Sequence, residues 1–132
     1  MNPVDFLKTI YLGDRSCKAI LIYSWDELVK LQVDEISRVR SSSGQWEFYN
    51  DENIEDGFLV FEEVQSISFK PENFLPNDYI NDIEVHKLEG SKYCRFVLYI
   101  GSIGQDRHPT EIEICITAAN MRLENKQGHN VP

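Results

Sequence analysis

"TEIEICITA" (residues 110–118) alternates apolar and polar side chains along almost its whole length. Ile112, Ile114 and Ile116 fall on one side, and Glu111, Glu113, Cys115 and Thr117 on the other. A period of two belongs to a β-strand with one buried face and one solvated face. The stretch before it, "KYCRFVLYIGS" (92–102), puts Cys94, Phe96, Leu98 and Ile100 on one face and Tyr93, Val97 and Tyr99 on the other. Apolar residues on both faces mark a central strand. "GS" (90–91) reads as a glycine-first turn that folds this strand back on "INDIEVHKLE" (80–89), where Ile83 and Val85 share a face.

The same period extends in both directions. "CKAILIYS" (17–24) and "LVKLQVDEISRVR" (28–40) form a hairpin through "WDE" (25–27), with Val29, Leu31 and Val33 on one face. "WEFY" (46–49) is a short strand, and "FLVFEEV" (58–64) and "QSISFKP" (65–71) continue the pattern. "ANMRLE" (119–124) either extends the 110–118 strand or forms a last short one. "SSSGQ" (41–45), "NDENIEDG" (50–57), "ENFLPND" (72–78) and "IGQDRHP" (103–109) are loops, and "NKQGHNVP" (125–132) is a frayed tail. The exception to the β pattern is the start. Asn2 caps, Pro3 suits the first helical position and Asp5 sits in the first turn, so a helix is expected over about residues 3–12, stopped by Gly13. The expected fold is mainly β: an antiparallel β-sandwich or flattened barrel of about seven to eight strands with one short N-terminal α-helix. The 132 residues suit a single domain.

Hydrophobic residues make up 42% and charged residues 27%, as in ordinary globular chains. No apolar run approaches the ~20 residues of a membrane span. "MNPVDFLKTIYLGD" has neither a basic start nor a long apolar stretch, so no secretory signal is read and a cytoplasmic location is expected. Cys17, Cys94 and Cys115 lie in apolar strand-like runs, without any C-x-x-C pair. They read as reduced, mostly buried thiols.

Charge is distributed unevenly. The chain carries 22 acidic and 13 basic residues, a net charge of -9. Residues 51–90 hold eleven acids and, as bases, only Lys70 and Lys87, so this segment alone carries 2 - 11 = -9. Such a field disfavours nucleic acid and anionic membranes and favours a basic protein partner.

"DENIEDGFLVFE" (51–62) looks like a calcium loop of the EF-hand kind, which needs oxygen ligands at positions 1, 3, 5 and 12 and glycine at 6. Starting at Asp51 puts Gly57 at position 7, and Asp56 where glycine is required. Aligning on Gly57 puts Ile54 at position 3. The flanks are strand-like rather than helical. The segment therefore reads as an acidic loop between strands, with weak divalent binding as the alternative. "LPNDYIND" (75–82) is similar, and its Asx side chains suit local turns around Pro76.

His86, His108 and His129 share no metal-ligand spacing, and the chain has no G-x-S-x-G, Walker or Rossmann motif. No catalytic residue, metal site or cofactor is expected. Exposed aromatics beside charged loops make good interface anchors. The expected partner-binding residues are accordingly Trp46, Asp51, Glu52, Glu55, Asp56, Asp78 and Asp82. Two other readings remain open: a small-ligand carrier or enzyme using one end of the sandwich, and an oligomerising domain with an exposed sheet edge.

At "FLKTIYLGDR" (6–15), "VFEEVQSISFKP" (60–71) and "PNDYIN" (76–81), the sequence resembles a family of small bacterial proteins of unassigned function. In general type it is similar to the compact acidic proteins that act as immunity partners of secreted bacterial toxins. That similarity implies a basic toxin surface as the partner and carries over no site residue.

Overall fold

The computed structural model describes residues 2–39, 52–104 and 108–132. The chain is mainly β. Helix α1 (Pro3–Leu7) precedes twelve strands among the described residues: β1 (Ile10–Tyr11), β2 (Cys17–Tyr23), β3 (Leu28–Val33), β4 (Glu35–Arg38), β5 (Asn53–Glu55), β6 (Phe58–Glu62), β7 (Ser66–Lys70), β8 (Ile80–Lys87), β9 (Cys94–Ile103), β10 (Pro109–Ala118), β11 (Asn120–Glu124) and β12 (Asn130–Val131).

The two strands that decide the fold pair along their full length. β9 and β10 are antiparallel over ten residue pairs, from Pro109 opposite Ile103 to Ala118 opposite Cys94. With β7 and β8 outside them they make a four-stranded sheet in the order β7-β10-β9-β8. Ile112, Ile114 and Ile116 point inward beside Phe96, Leu98 and Ile100, and all six are essentially inaccessible. A second sheet, in the order β12-β11-β6-β3-β2, supplies the opposing layer through Val29, Leu31, Val33, Leu59, Phe61, Met121 and Leu123. Phe61 meets Phe96 edge to face across the gap, with ring centroids 5.1 Å apart, a favoured aromatic geometry. The two sheets form a sandwich without barrel closure. A third sheet, β1-β4-β5, sits beside them.

The strand count exceeds the seven to eight expected, for three physical reasons. First, the alternation in 28–40 runs through a sheet switch: Asp34 breaks the strand, its carboxylate accepting from the Ser16 and Glu35 amides, each at 2.9 Å. Second, 110–124 switches sheets at Ala119, whose amide reaches the Glu62 carbonyl at 3.0 Å. Third, β1, β5 and β12 have two, three and two residues, too few to show a period.

Three expected boundaries are corrected. The helix ends at Leu7 rather than near residue 12, because Ile10 and Tyr11 pair with Arg38 and Ser37. The tail does not fray: β12 pairs with β11, and the Arg38 guanidinium donates to the main-chain oxygen of Pro132 at 2.9 Å. The 88–93 turn is wider than two residues, since the Leu88 amide bonds to the Tyr93 carbonyl and Gly90 takes the left-handed conformation at φ 70°. The loop at 41–45 and the strand at 46–49 lie outside the described residues.

The β9–β10 layer is the keystone of the core. Ile114→Ala is expected to lower the unfolding free energy by about 2–5 kcal/mol, the usual range for such a cavity. Chemical denaturation checks it; a loss below about 1 kcal/mol would mean that the inward row is not tightly packed.

Candidate functional site

The sandwich leaves three surfaces whose composition differs from an ordinary solvated face. The first surrounds the start of β2. Lys18 Nζ lies 2.6 Å from the Asp56 carboxylate. Asp34 and Glu55 add their charge to the same ammonium, and after the Asp56 hydrogen bond these carboxylates hold Lys18 above its ordinary value. Glu35 stands directly opposite Glu55 in the β4–β5 ladder, an unfavourable like-charge pair. Arg15 Nη1 relieves it from 3.3 Å. On the other side of the same segment, the Asp78 carbonyl accepts from the Cys17 amide at 3.0 Å.

The second surface is the outer face of the four-stranded sheet. One cross-strand row reads Lys70, Glu113, Tyr99, Asp82. The next reads Ser68, Cys115, Val97, Glu84, and Glu111 stands one step further along β10. Three carboxylates therefore surround one phenol. Partial burial first, then the charges of Glu84, Glu113 and Asp82, push Tyr99 above its ordinary value. His86, 3.1 Å from Glu84, and Arg95 lie at the margin of this face.

The third surface is an open apolar trough of about 690 Å³. It runs between β2 and β7, under residues 72–77. Both strands are edges of their sheets. Its lining includes Ile20, Ile22, Ile67, Phe69, Phe74 and Leu75.

The expected binding residues divide among these places. Glu55, Asp56 and Asp78 gather around residues 15–18, whereas Asp82 belongs to the outer sheet face. Glu52 precedes β5, and its carbonyl accepts from the Arg38 amide at 3.1 Å. Trp46 and Asp51 lie outside the described residues. Sequence reasoning passed over Glu113 and Tyr99, although the alternation at 110–118 already turns Glu113 outward. It also passed over the trough, whose walls lie about fifty residues apart in the chain.

The acidic stretch that resembles a calcium loop is part strand. Its oxygen-bearing residues are engaged separately: Asn53 accepts from Ser37 Oγ, Asp56 holds Lys18, and Glu62 holds Arg122. Gly57 is fixed by packing. A Cβ there would lie 2.6 Å from Ile54 Cγ2 and 3.1 Å from the Glu124 carbonyl. No group of three or more His, Cys, Asp or Glu side chains among the described residues could hold a metal ion. Cys17 and Cys94 are buried, and burial pushes the Cys17 thiol up to about 12, which removes its thiolate at neutral pH. No helix among the described residues is long and apolar enough to cross a membrane.

On the outer face of the five-stranded sheet, charge is neutralised rather than displayed. Glu124 is 3% exposed and accepts from Lys30 Nζ at 2.7 Å and from Arg122. Burial pushes this carboxyl up, but the two cations outweigh burial and hold it below its ordinary value.

The chain belongs to a family of unknown function (DUF6258), whose model matches residues 1–131. No curated protein matches it. Among solved structures it is similar to the crystal structure of an uncharacterized protein from Neisseria gonorrhoeae, at 13% sequence identity, with a TM-score of 0.48 and coverage of 87% of this chain and 94% of that one.

Two variants test this geometry. A carboxyl lowered in the folded state stabilises above its unfolded value, here 4.5, and that contribution disappears as the pH falls through the folded value. Glu124→Gln is therefore expected to cost about 1–3 kcal/mol at pH 7 and to narrow its deficit against the wild type in acid. Thermal melts from pH 7 down to pH 3 measure both; a deficit independent of pH would contradict the assignment. Gly57→Ala is expected to cost about 1–3 kcal/mol, as overpacking does. Retention of wild-type stability would mean that Ile54 and the 124 carbonyl yield freely.

Proposed function

We propose that this protein is a non-enzymatic, acidic protein-binding module that covers a basic surface on its partner. One observation carries the reading: the acidic excess is presented on the surface instead of being neutralised inside. Among the described residues, Asp82, Glu111 and Glu113 form no ion pair, and neither do Glu55 and Asp78. Asp34, Glu55 and Asp56 converge around Lys18, and Asp82, Glu84 and Glu113 around Tyr99. A basic surface docking there gains Coulomb attraction and faster encounter, and both effects are screened by salt.

An immunity role is the specific form favoured by these features. A toxin acting on nucleic acid or on an anionic substrate carries a basic cleft, and an acidic plug of this size would fill it. The described residues support an enzymatic reading less well. The trough is mainly apolar, with Glu72 and Lys18 as its only ionisable lining groups, and Lys18 is already paired with Asp56. A location in the cytoplasm follows from the same proposal, since a protective partner meets its toxin before export.

The immobilised protein is expected to capture a basic protein from its source cells at about 50 mM salt and to release it near 500 mM, where the screening length falls to a few ångströms. The variant Asp82→Asn/Glu84→Gln/Glu113→Gln is expected to lose most of that capture, and Glu55→Gln a smaller part. Capture insensitive both to salt and to the triple substitution would overturn the electrostatic reading.

A further inference from the structure

We propose that the trough between β2 and β7 accepts an extended segment of the basic partner, added as a further strand to the free edge of β2; this rests on the reading of the protein as a binder of basic proteins. Strand addition needs an accessible edge, apolar pockets for alternate side chains and flanking groups that fix the ends. The trough provides all three.

The edge comes first. Among the described residues, β2 pairs with β3 on one side and with no strand on the other. Natural sheets blunt such edges with charges, prolines or bulges. Here the devices stand at one end only: a register shift between Cys17 and Ala19, and Lys18, whose charge is spent on Asp56. From Ala19 to Tyr23 the edge is apolar, with Ile22 and Tyr23 exposed, and no described strand pairs with it.

The pockets come next. Ile22 is 51% exposed and Leu75 is 75% exposed, a costly arrangement for large apolar side chains that share one concavity. The opposite wall, β7, presents Ile67 and Phe69 toward the same space. A smaller concavity lined by Ile22, Glu27, Val64 and Ile67 shares two residues with the trough and extends it to the β2–β3 turn. β2 has seven residues, which span about 23 Å at ~3.3 Å each.

The ends identify the occupant. Glu72 stands at one end and Glu27 at the other, and among the described residues neither has an ion pair. The matching ligand is a strand with an apolar centre and basic residues at its ends. A second copy of this chain fits poorly, because it would bring another net charge of -9 to the same edge.

A fluorescein-labelled peptide of alternating valine and threonine, flanked by lysines, tests the assignment by fluorescence anisotropy. Saturable binding to the wild-type protein is expected. It should weaken at least about tenfold for Ile22→Lys, which puts a charge on the edge. A peptide N-methylated on alternate residues should lose binding to a similar degree, because it cannot form the ladder. A glutamate-flanked peptide should also bind more weakly. Phe74→Ala provides a second trough variant at an exposed residue where misfolding is not at issue. Absence of saturable binding, or equal binding of the N-methylated peptide, would overturn strand addition. In that case salt-sensitive capture of a basic protein would still leave the broader functional reading standing. Equal binding of both flanked peptides would overturn the basic occupant. A dimer in sedimentation that Ile22→Lys dissociates would assign the edge to a second copy instead and overturn the proposal.

Discussion

The ten-pair ladder between β9 and β10 is the constraint on which the rest depends. It aligns Phe96, Leu98 and Ile100 with Ile116, Ile114 and Ile112, so six large side chains project from two adjacent strands into one layer. A slip of one residue by either strand would send its three to the solvated face and bring Glu113 (on β10) or Tyr99 (on β9) inward. The second sheet has no comparably long pairing, and its strands are placed by what they cover. Phe61 on β6 sits over Phe96, and Leu31, Leu59 and Leu123 fill the same layer.

The outward features follow from the same register. Because β10 turns its isoleucines in, it must turn Glu111 and Glu113 out, and β8 adds Asp82 and Glu84 beside them. The acidic face around Tyr99 is thus the other side of the core. The β7–β10–β9–β8 order leaves β7 as an edge, and the opposing sheet leaves β2 as the facing edge. The other sheet's outer face resolves its charge differently. There Lys30, Arg122, Glu62 and Glu124 close a network over the inaccessible Val60. One outer face is self-neutralised and the other is not, which gives the molecule an electrostatic direction.

Much of this was legible in the sequence where alternation was long. The strands at 80–87, 94–103 and 110–118 declare themselves through isoleucine, valine and phenylalanine at every second position. The orientation of Val29, Leu31 and Val33 was equally plain. What stayed hidden was the point at which a strand changes sheet. Asp34 and Ala119 mark it only by a change of phase: the buried set passes from Val33 to Ile36 and from Ala118 to Met121, while the residues beyond still alternate. The two- and three-residue strands were hidden for a related reason: their pairing comes from neighbours already in place. Gly57 had a visible signature, a glycine amid acids, but its cause is a close approach by Ile54 and the 124 carbonyl that no local reading contains. The acidic segment was legible as charge but not as surface. Glu62 and Glu63 are drawn off to Arg122 and Lys92 from elsewhere in the chain, while Glu113, from outside the segment, joins Asp82 and Glu84.

The β9–β10 layer is the keystone of the fold, and among the described residues β2 and β7 are sheet edges with no further strand paired to them. Residue-resolved hydrogen exchange of the intact protein tests it most directly. The ladder amides of β9 and β10 should exchange only through global unfolding and form the slowest set, while trough-facing amides of residues 18–23 and 66–70 exchange much faster. Equal protection of those edge amides, or a slowest set located in the β2–β3 hairpin, would contradict both the keystone role of the ladder and the openness of the edge.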